Sequence, residues 1–170
     1  MPITIAEVDA LAPDAFVARF GDVAEHSPWV AEAAAAMRPF GAREAMIEAF
    51  ARAVTEAPRE ARLALIRAHP DLAGKAARAG AIAEDSKQEQ AGAGLDTLTD
   101  AEFARFGEMN DAYRAKFGFP FIFAVKGATK HMILDAFAAR LPADPAVEFE
   151  TALAQIARIF RFRLEDRVAP

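Results

Sequence analysis

His69 stands directly before Pro70, and it is the only one of the chain's three histidines so placed. A residue preceding proline disfavours helical backbone, so His69 should end the helix before it and turn its imidazole towards a pocket. The carbonyl end of that helix favours imidazolium by about 0.3–1 kcal/mol, which suits a proton carrier working near neutrality. A histidine that merely caps the helix or edges the core would occupy the same place. Further on, the run Ser86-Lys87-Gln88-Glu89-Gln90 gathers a hydroxyl, a carboxylate and an amide within about one helical turn, a compact set for polar recognition and proton transfer. Ser86 with Glu89 three residues on also matches a capping box, which asks for no chemistry at all.

Two further features could meet a ligand. Phe119-Pro120-Phe121-Ile122-Phe123-Ala124-Val125 is apolar, β-prone and proline-marked between Gly118 and Gly127, so it should be extended. It reads as a buried core strand; yet a lone extended segment has no ladder partner, and its buried N–H and C=O groups must then pair with something. A planar ureide or amide is one such partner, and the N–H groups could stabilise an oxyanion. In the last helix Phe149, Leu153, Ile156, Phe160 and Leu164 lie within roughly 40° of one direction, and Arg163 falls on that apolar side. A guanidinium there needs an anionic or hydrogen-bonding partner, either a substrate carboxylate or a structural Asp or Glu.

Other chemistries find no footing. There is no cysteine, so disulfides, thiolate nucleophiles and thiolate metal sites are excluded. His26, His69 and His131 share no ligand spacing, so no metal is expected. Gly92-Ala93-Gly94 lacks the frame of a phosphate-binding loop, and no serine-nucleophile elbow occurs.

The elements that must position these residues are helices. Ser27-Pro28 reads as an N-cap followed by proline at the start of a helix over Trp29–Met37, stopped by Pro39-Phe40-Gly41. Helices follow at about Arg43–Thr55 and Pro58–Ala68. Thr99-Asp100-Ala101-Glu102 is a capping box opening a helix to about Phe117, with Gly118 as its left-handed cap. Phe103, Phe106, Met109, Ala112, Tyr113 and Phe117 form its apolar face. Two more helices are expected near Thr129–Leu141 and from Pro145, capped by Asp144, to about Val168. No alternating strand pattern, repeat or linker appears, so the expectation is a compact all-α domain over residues 1–170 with one short extended segment near 119–125.

With 54% hydrophobic and 26% charged residues the composition is that of a globular chain. The net charge of −5 is spread over mixed Glu/Arg helices, which argues against nucleic acid and against an anionic membrane. Small molecules and protein partners remain. The N-terminus has no signal-peptide pattern and the C-terminus no peroxisomal tripeptide, so the expected location is the cytoplasm.

Four stretches together resemble the 2-oxo-4-hydroxy-4-carboxy-5-ureidoimidazoline decarboxylase family: Glu25-His26-Ser27-Pro28-Trp29-Val30, Ala68-His69-Pro70-Asp71-Leu72-Ala73-Gly74, Ser86 to Leu95, and Tyr113 to Gly127. The resemblance implies a fold of about eight helices, commonly dimeric, needing no metal or organic cofactor. It also implies formation of (S)-allantoin in the last step of urate degradation. On this resemblance His69 and Glu89 form the acid–base pair, while Pro70, the segment Ser86, Lys87, Gln88, Glu89 and Gln90, and the segment Phe121, Ile122, Phe123, Ala124 and Val125 bind the ureide. Arg163 matches an arginine of the family's last helix, although Arg161 lies close by. Two other readings fit the residues. One is a cofactor-free lyase or hydrolase acting on a different ureide; the other is a non-catalytic helical module that docks a partner through its phenylalanine-rich segment.

Overall fold

Side-chain caps and glycine stops set many of the helix ends in the computed structural model, which describes all 170 residues. The helices are α1 (Ile5–Ala10), α2 (Pro13–Phe20), α3 (Trp29–Ala35), α4 (Arg43–Thr55), α5 (Arg59–Ala68), α6 (Lys75–Arg78), α7 (Glu84–Gly92), α8 (Asp100–Phe117), α9 (Lys130–Arg140) and α10 (Pro145–Arg167). The fold is all-α. Ten helices stand where about eight were expected, and α1 and α6 are short pieces of six and four residues.

Thr99 Oγ1 accepts from Glu102 N at 3.1 Å and the Glu102 carboxylate accepts from Thr99 N at 3.0 Å, so the capping box that opens α8 is complete. Gly118 ends that helix at φ 75°, a left-handed conformation that glycine adopts without steric cost. Thr129 caps α9 through Met132 N, and Asp144 Oδ1 accepts from Ala146 N at the start of α10. A second capping box, Thr4 with Glu7, opens α1. The expected Ser27 cap is not made: α3 begins at Trp29 without a side-chain cap, and the Ser27 hydroxyl instead donates to Glu25 O at 2.8 Å.

The chain divides into two compact units, Met1–Ala68 with Ala157–Pro170, and His69–Ile156. Neither junction carries a sequence signal of a boundary, since one falls at the His69-Pro70 stop and the other inside α10. In the first unit α3 packs on α2 and α4. Its core holds Phe16, Phe20, Phe50 and Phe160 with Met46, Leu65 and Ile66, all with no more than 1% of their surface exposed. Ile3 bridges Val168 in parallel, with Ile3 N donating to Arg167 O and Ala169 N to Ile3 O.

The second unit is built on α8 and α9 and carries an aromatic core of Phe106, Tyr113, Phe121, Phe137 and Phe149. Phe121 stacks on Phe137 with centroids 3.8 Å apart, and Tyr113 meets Phe121 edge-on at 5.2 Å. Such pairings add about 0.5–1.5 kcal/mol each to the area they bury. The apolar face of α8 differs in detail from the sequence pattern. Asn110 is buried between Phe106 and Tyr113, whereas Ala112 is exposed.

Candidate active site

The backbone constraint of the His-Pro pair shapes the first part of the site. Helix α5 stops at Ala68, and His69 is buried at 6% exposure at the head of a short loop. That loop is strained: Ala73 sits at φ 52°, a left-handed conformation that costs a residue with a Cβ about 1–2 kcal/mol. Three side chains hold it. Gln90 accepts from Ala73 N at 2.9 Å and donates to Asp71 O at 3.3 Å; Asn110 Nδ2 donates to Leu72 O at 2.8 Å; Arg114 Nη2 reaches Asp71 Oδ1 at 2.6 Å. The loop carrying His69 is thus tied to α7 and α8.

On α7 the structure separates the two readings of Ser86 and Glu89. The helix begins at Glu84 after Ala83, so Ser86 is its third residue and does not cap it. Ser86 and Gln90 are buried and Glu89 is half-buried, one turn apart on the helix. Lys87 and Gln88 are exposed, and Gln88 Nε2 pairs with Glu84 Oε1 at 2.9 Å. A cavity of about 220 Å³ lies against this helix, lined by Ala73, Lys87, Gln90, Leu95, Leu98 and Phe103 among others. No three His, Asp or Glu side chains in the chain come together as a possible metal-ligand set.

Residues 120–125 run without helix, strand or turn, as the proline and flanking glycines predict. Phe121, Ile122, Ala124 and Val125 are buried and Phe123 is half-buried. No ladder satisfies this segment. Side chains take part of that role: Arg140 Nη1 donates to Ile122 O at 2.5 Å, and Ala124 N donates to Gln155 Oε1 at 3.0 Å. The Arg140 guanidinium also lies over the Phe121 ring at 4.3 Å. Behind it, Arg140 Nε and Tyr113 Oη both donate to Glu148 Oε1. Burial, reinforced by the Glu148 carboxylate, pushes the Tyr113 hydroxyl well above its ordinary range.

Arg163 is buried in the first unit, where its Nη1 donates to Glu25 Oε2 at 3.0 Å and to Val23 O at 3.1 Å. Of the two kinds of partner its position demands, the structural carboxylate is therefore present.

The second unit contains His69 and Pro70, the α7 residues 86–90 and the 121–125 segment together. Sequence reasoning missed the residues that hold them: Asn110, Arg114, Arg140, Glu148 and Gln155. Asn110 had a usable signal, a polar residue four after Phe106 and three before Tyr113 on an apolar face. The others sit among solvated charges of amphipathic helices, and only the tertiary contact singles them out.

The family model for OHCU decarboxylase matches residues 9–165. The chain is 41% identical to the 2-oxo-4-hydroxy-4-carboxy-5-ureidoimidazoline decarboxylase of Haloferax volcanii, over 97% of this chain and 96% of that protein. It is 33% identical to the Mus musculus protein of the same name, over 95% and 91% of the two chains. Among solved structures, the crystal structure of (S)-allantoin synthase superposes with a TM-score of 0.78 at 32% identity over 98% of this chain. This chain spans about half, 54%, of that synthase chain.

Proposed function

This chain belongs to the OHCU decarboxylase family, and we propose that it decarboxylates 2-oxo-4-hydroxy-4-carboxy-5-ureidoimidazoline to (S)-allantoin, with His69 and Glu89 handling the protons. The observation that carries the reading is the Gln90 amide. It fastens the strained loop that follows His69, at Asp71 O and Ala73 N, to the turn of α7 that bears Ser86 and Glu89.

The substrate supplies its own electron sink. Its carboxylate sits on C4 beside a C5=N imine. When the C4–carboxyl bond breaks, its electron pair forms a C4=C5 bond, the imine nitrogen takes up a proton and CO2 leaves. The resulting enol then gives up its 4-hydroxyl proton as C5 accepts one on a single face, leaving the carbonyl of allantoin. The protein has to orient the carboxylate, manage three proton transfers (to the imine nitrogen, from the 4-hydroxyl and to C5) and shield one face. Buried His69 and half-buried Glu89 suit the proton transfers. Pro70, the α7 segment 86–90 and the 121–125 backbone suit the ring and ureido group. Arg163 enters on the family resemblance, its guanidinium already held by Glu25.

The reading extends to a homodimer, on the resemblance, and keeps the cytoplasmic location expected from the sequence; light scattering should give about twice the 18.3 kDa of one chain. No helix is long and apolar enough to cross a membrane.

The experiment is a circular-dichroism time course on substrate made in situ from urate by the two preceding enzymes, with wild type and His69→Ala in parallel. Faster appearance of optically active (S)-allantoin with wild type alone supports both the reaction and the residue. An unchanged racemic background with wild type overturns the reaction. Full rate in His69→Ala overturns the residue.

A further inference from the structure

We propose that Gln155 is a positioning residue for the reaction: with Arg140 it holds one edge of the 121–125 segment, so that the opposite edge is presented to the ureide. The inference rests on the decarboxylase reading of that segment.

In an extended chain the N–H and C=O of one residue leave on the same side, and those of the next residue leave on the other. Ile122 and Ala124 are two apart. The C=O of Ile122 is taken by Arg140 Nη1 at 2.5 Å and the N–H of Ala124 by Gln155 Oε1 at 3.0 Å. These two hydrogen bonds therefore use one edge and fix its direction, which leaves the N–H and C=O of half-buried Phe123 on the other. One donor and one acceptor side by side are the complement of an HN–C=O unit, the group a ureide ring offers. Arg140 is itself immobilised by Glu148 and by the Phe121 face, so that contact is rigid. Gln155 is the adjustable one. It is half-buried on α10 and its amide oxygen acts as a simple acceptor.

An acceptor requirement gives a clean pair of variants. Gln155→Met keeps the length and shape of the side chain and removes the acceptor, whereas Gln155→Glu keeps an acceptor oxygen. With the segment free to rotate, Gln155→Met should raise KM about tenfold and change kcat less than about threefold, alongside a modest fall in melting temperature from the lost hydrogen bond. Gln155→Glu should recover most of the lost affinity. A purely structural glutamine would lower the melting temperature and leave KM alone. Hydrogen exchange of the Ala124 amide provides a readout without substrate: protected in wild type and Gln155→Glu, fast in Gln155→Met. A wild-type KM in Gln155→Met, or a Gln155→Glu variant as impaired as Gln155→Met, overturns the inference. If wild type itself fails to accelerate decarboxylation, the functional reading falls, and Ala124 exchange still decides whether Gln155 holds the segment.

Discussion

Tyr113 Oη and Arg140 Nε converge on the same oxygen of Glu148, at 2.5 and 2.6 Å, although the three residues come from three different helices. Glu148 is 1% exposed and the Arg140 side chain 14%, so the carboxylate and guanidinium neutralise each other away from water. Removing one member of such a buried pair strands the other, at about 3–5 kcal/mol. Glu148→Ala should therefore lower the urea-unfolding free energy by that amount. Tyr113→Phe loses one hydrogen bond and should cost only about 1–2 kcal/mol. Equal losses in the two variants would show that the carboxylate is not the hub.

Tyr113 is the chain's one tyrosine, which makes its ionisation directly visible. Burial first, then Glu148, raises its pKa above the ordinary 10. Because the folded value is the higher, its contribution to stability is complete below pH about 10 and is lost as pH rises beyond that. Absorbance at 295 nm should show no tyrosinate in the folded protein at pH 10.5. It should appear together with the loss of helical circular dichroism, and Tyr113→Phe should unfold at higher pH relative to its own neutral stability. Tyrosinate titrating freely near pH 10 in the folded state would contradict the burial and the Glu148 contact alike.

Glu102 gives the opposite pH signature at the start of α8. Hydrogen bonding to the Lys130 ammonium, and then to Thr99 N–H, lowers its pKa from 4.5 to about 2. The folded value is now the lower one, so the stabilisation is present above pH 4.5 and disappears as pH falls through about 2. Glu102→Gln can still accept from Thr99 N–H but loses the ion pair with Lys130. The gap in urea midpoint between wild type and Glu102→Gln should be largest near pH 6 and close towards pH 2. A constant gap would place the contribution in the cap alone.

These three cases also mark what the sequence can and cannot carry. Thr99, Glu102 and Gly118 act within their own helix turns, through backbone geometry that the residue types dictate, and they were legible. The His69-Pro70 stop and the extended 121–125 run are equally local. Glu148, Arg140 and Gln155 look like ordinary charged and polar residues of an amphipathic helix. Their partners lie 8 to 35 residues away on other elements, at distances no helical periodicity encodes. Ser86 shows the reverse, a local pattern that the fold does not use. Its spacing to Glu89 satisfies the capping pattern, yet α7 begins two residues earlier, at Glu84.

Ser86 lies inside α7 and does not cap it, so substitution of Glu89 leaves the start of that helix untouched and should separate chemistry from helix capping. Glu89→Gln preserves size and one acceptor oxygen, replaces the other with a donor NH2, and cannot exchange a proton at neutral pH. It should reduce kcat by about 10²–10⁴-fold with the melting temperature moved by less than about 2 °C. A melting temperature that falls in step with activity would return Glu89 to a structural role.

Arg163 and Glu25 pose the same question for a buried ion pair, with exposures of 4% and 1%. Arg163→Met alone leaves the Glu25 carboxylate buried beside an apolar side chain and should destabilise by about 3–5 kcal/mol. Such a loss would reduce activity whatever Arg163 does with substrate, so the single variant cannot assign its role. The double variant Glu25→Leu with Arg163→Met replaces the pair by apolar groups, which buried pairs commonly tolerate with little net change. Its stability should lie closer to wild type than that of Arg163→Met. Its activity then decides: a folded double variant with wild-type kcat/KM makes Arg163 a purely structural partner of Glu25. A folded double variant that has lost about a hundredfold in kcat/KM makes the guanidinium part of substrate recognition, with Glu25 the residue that orients it.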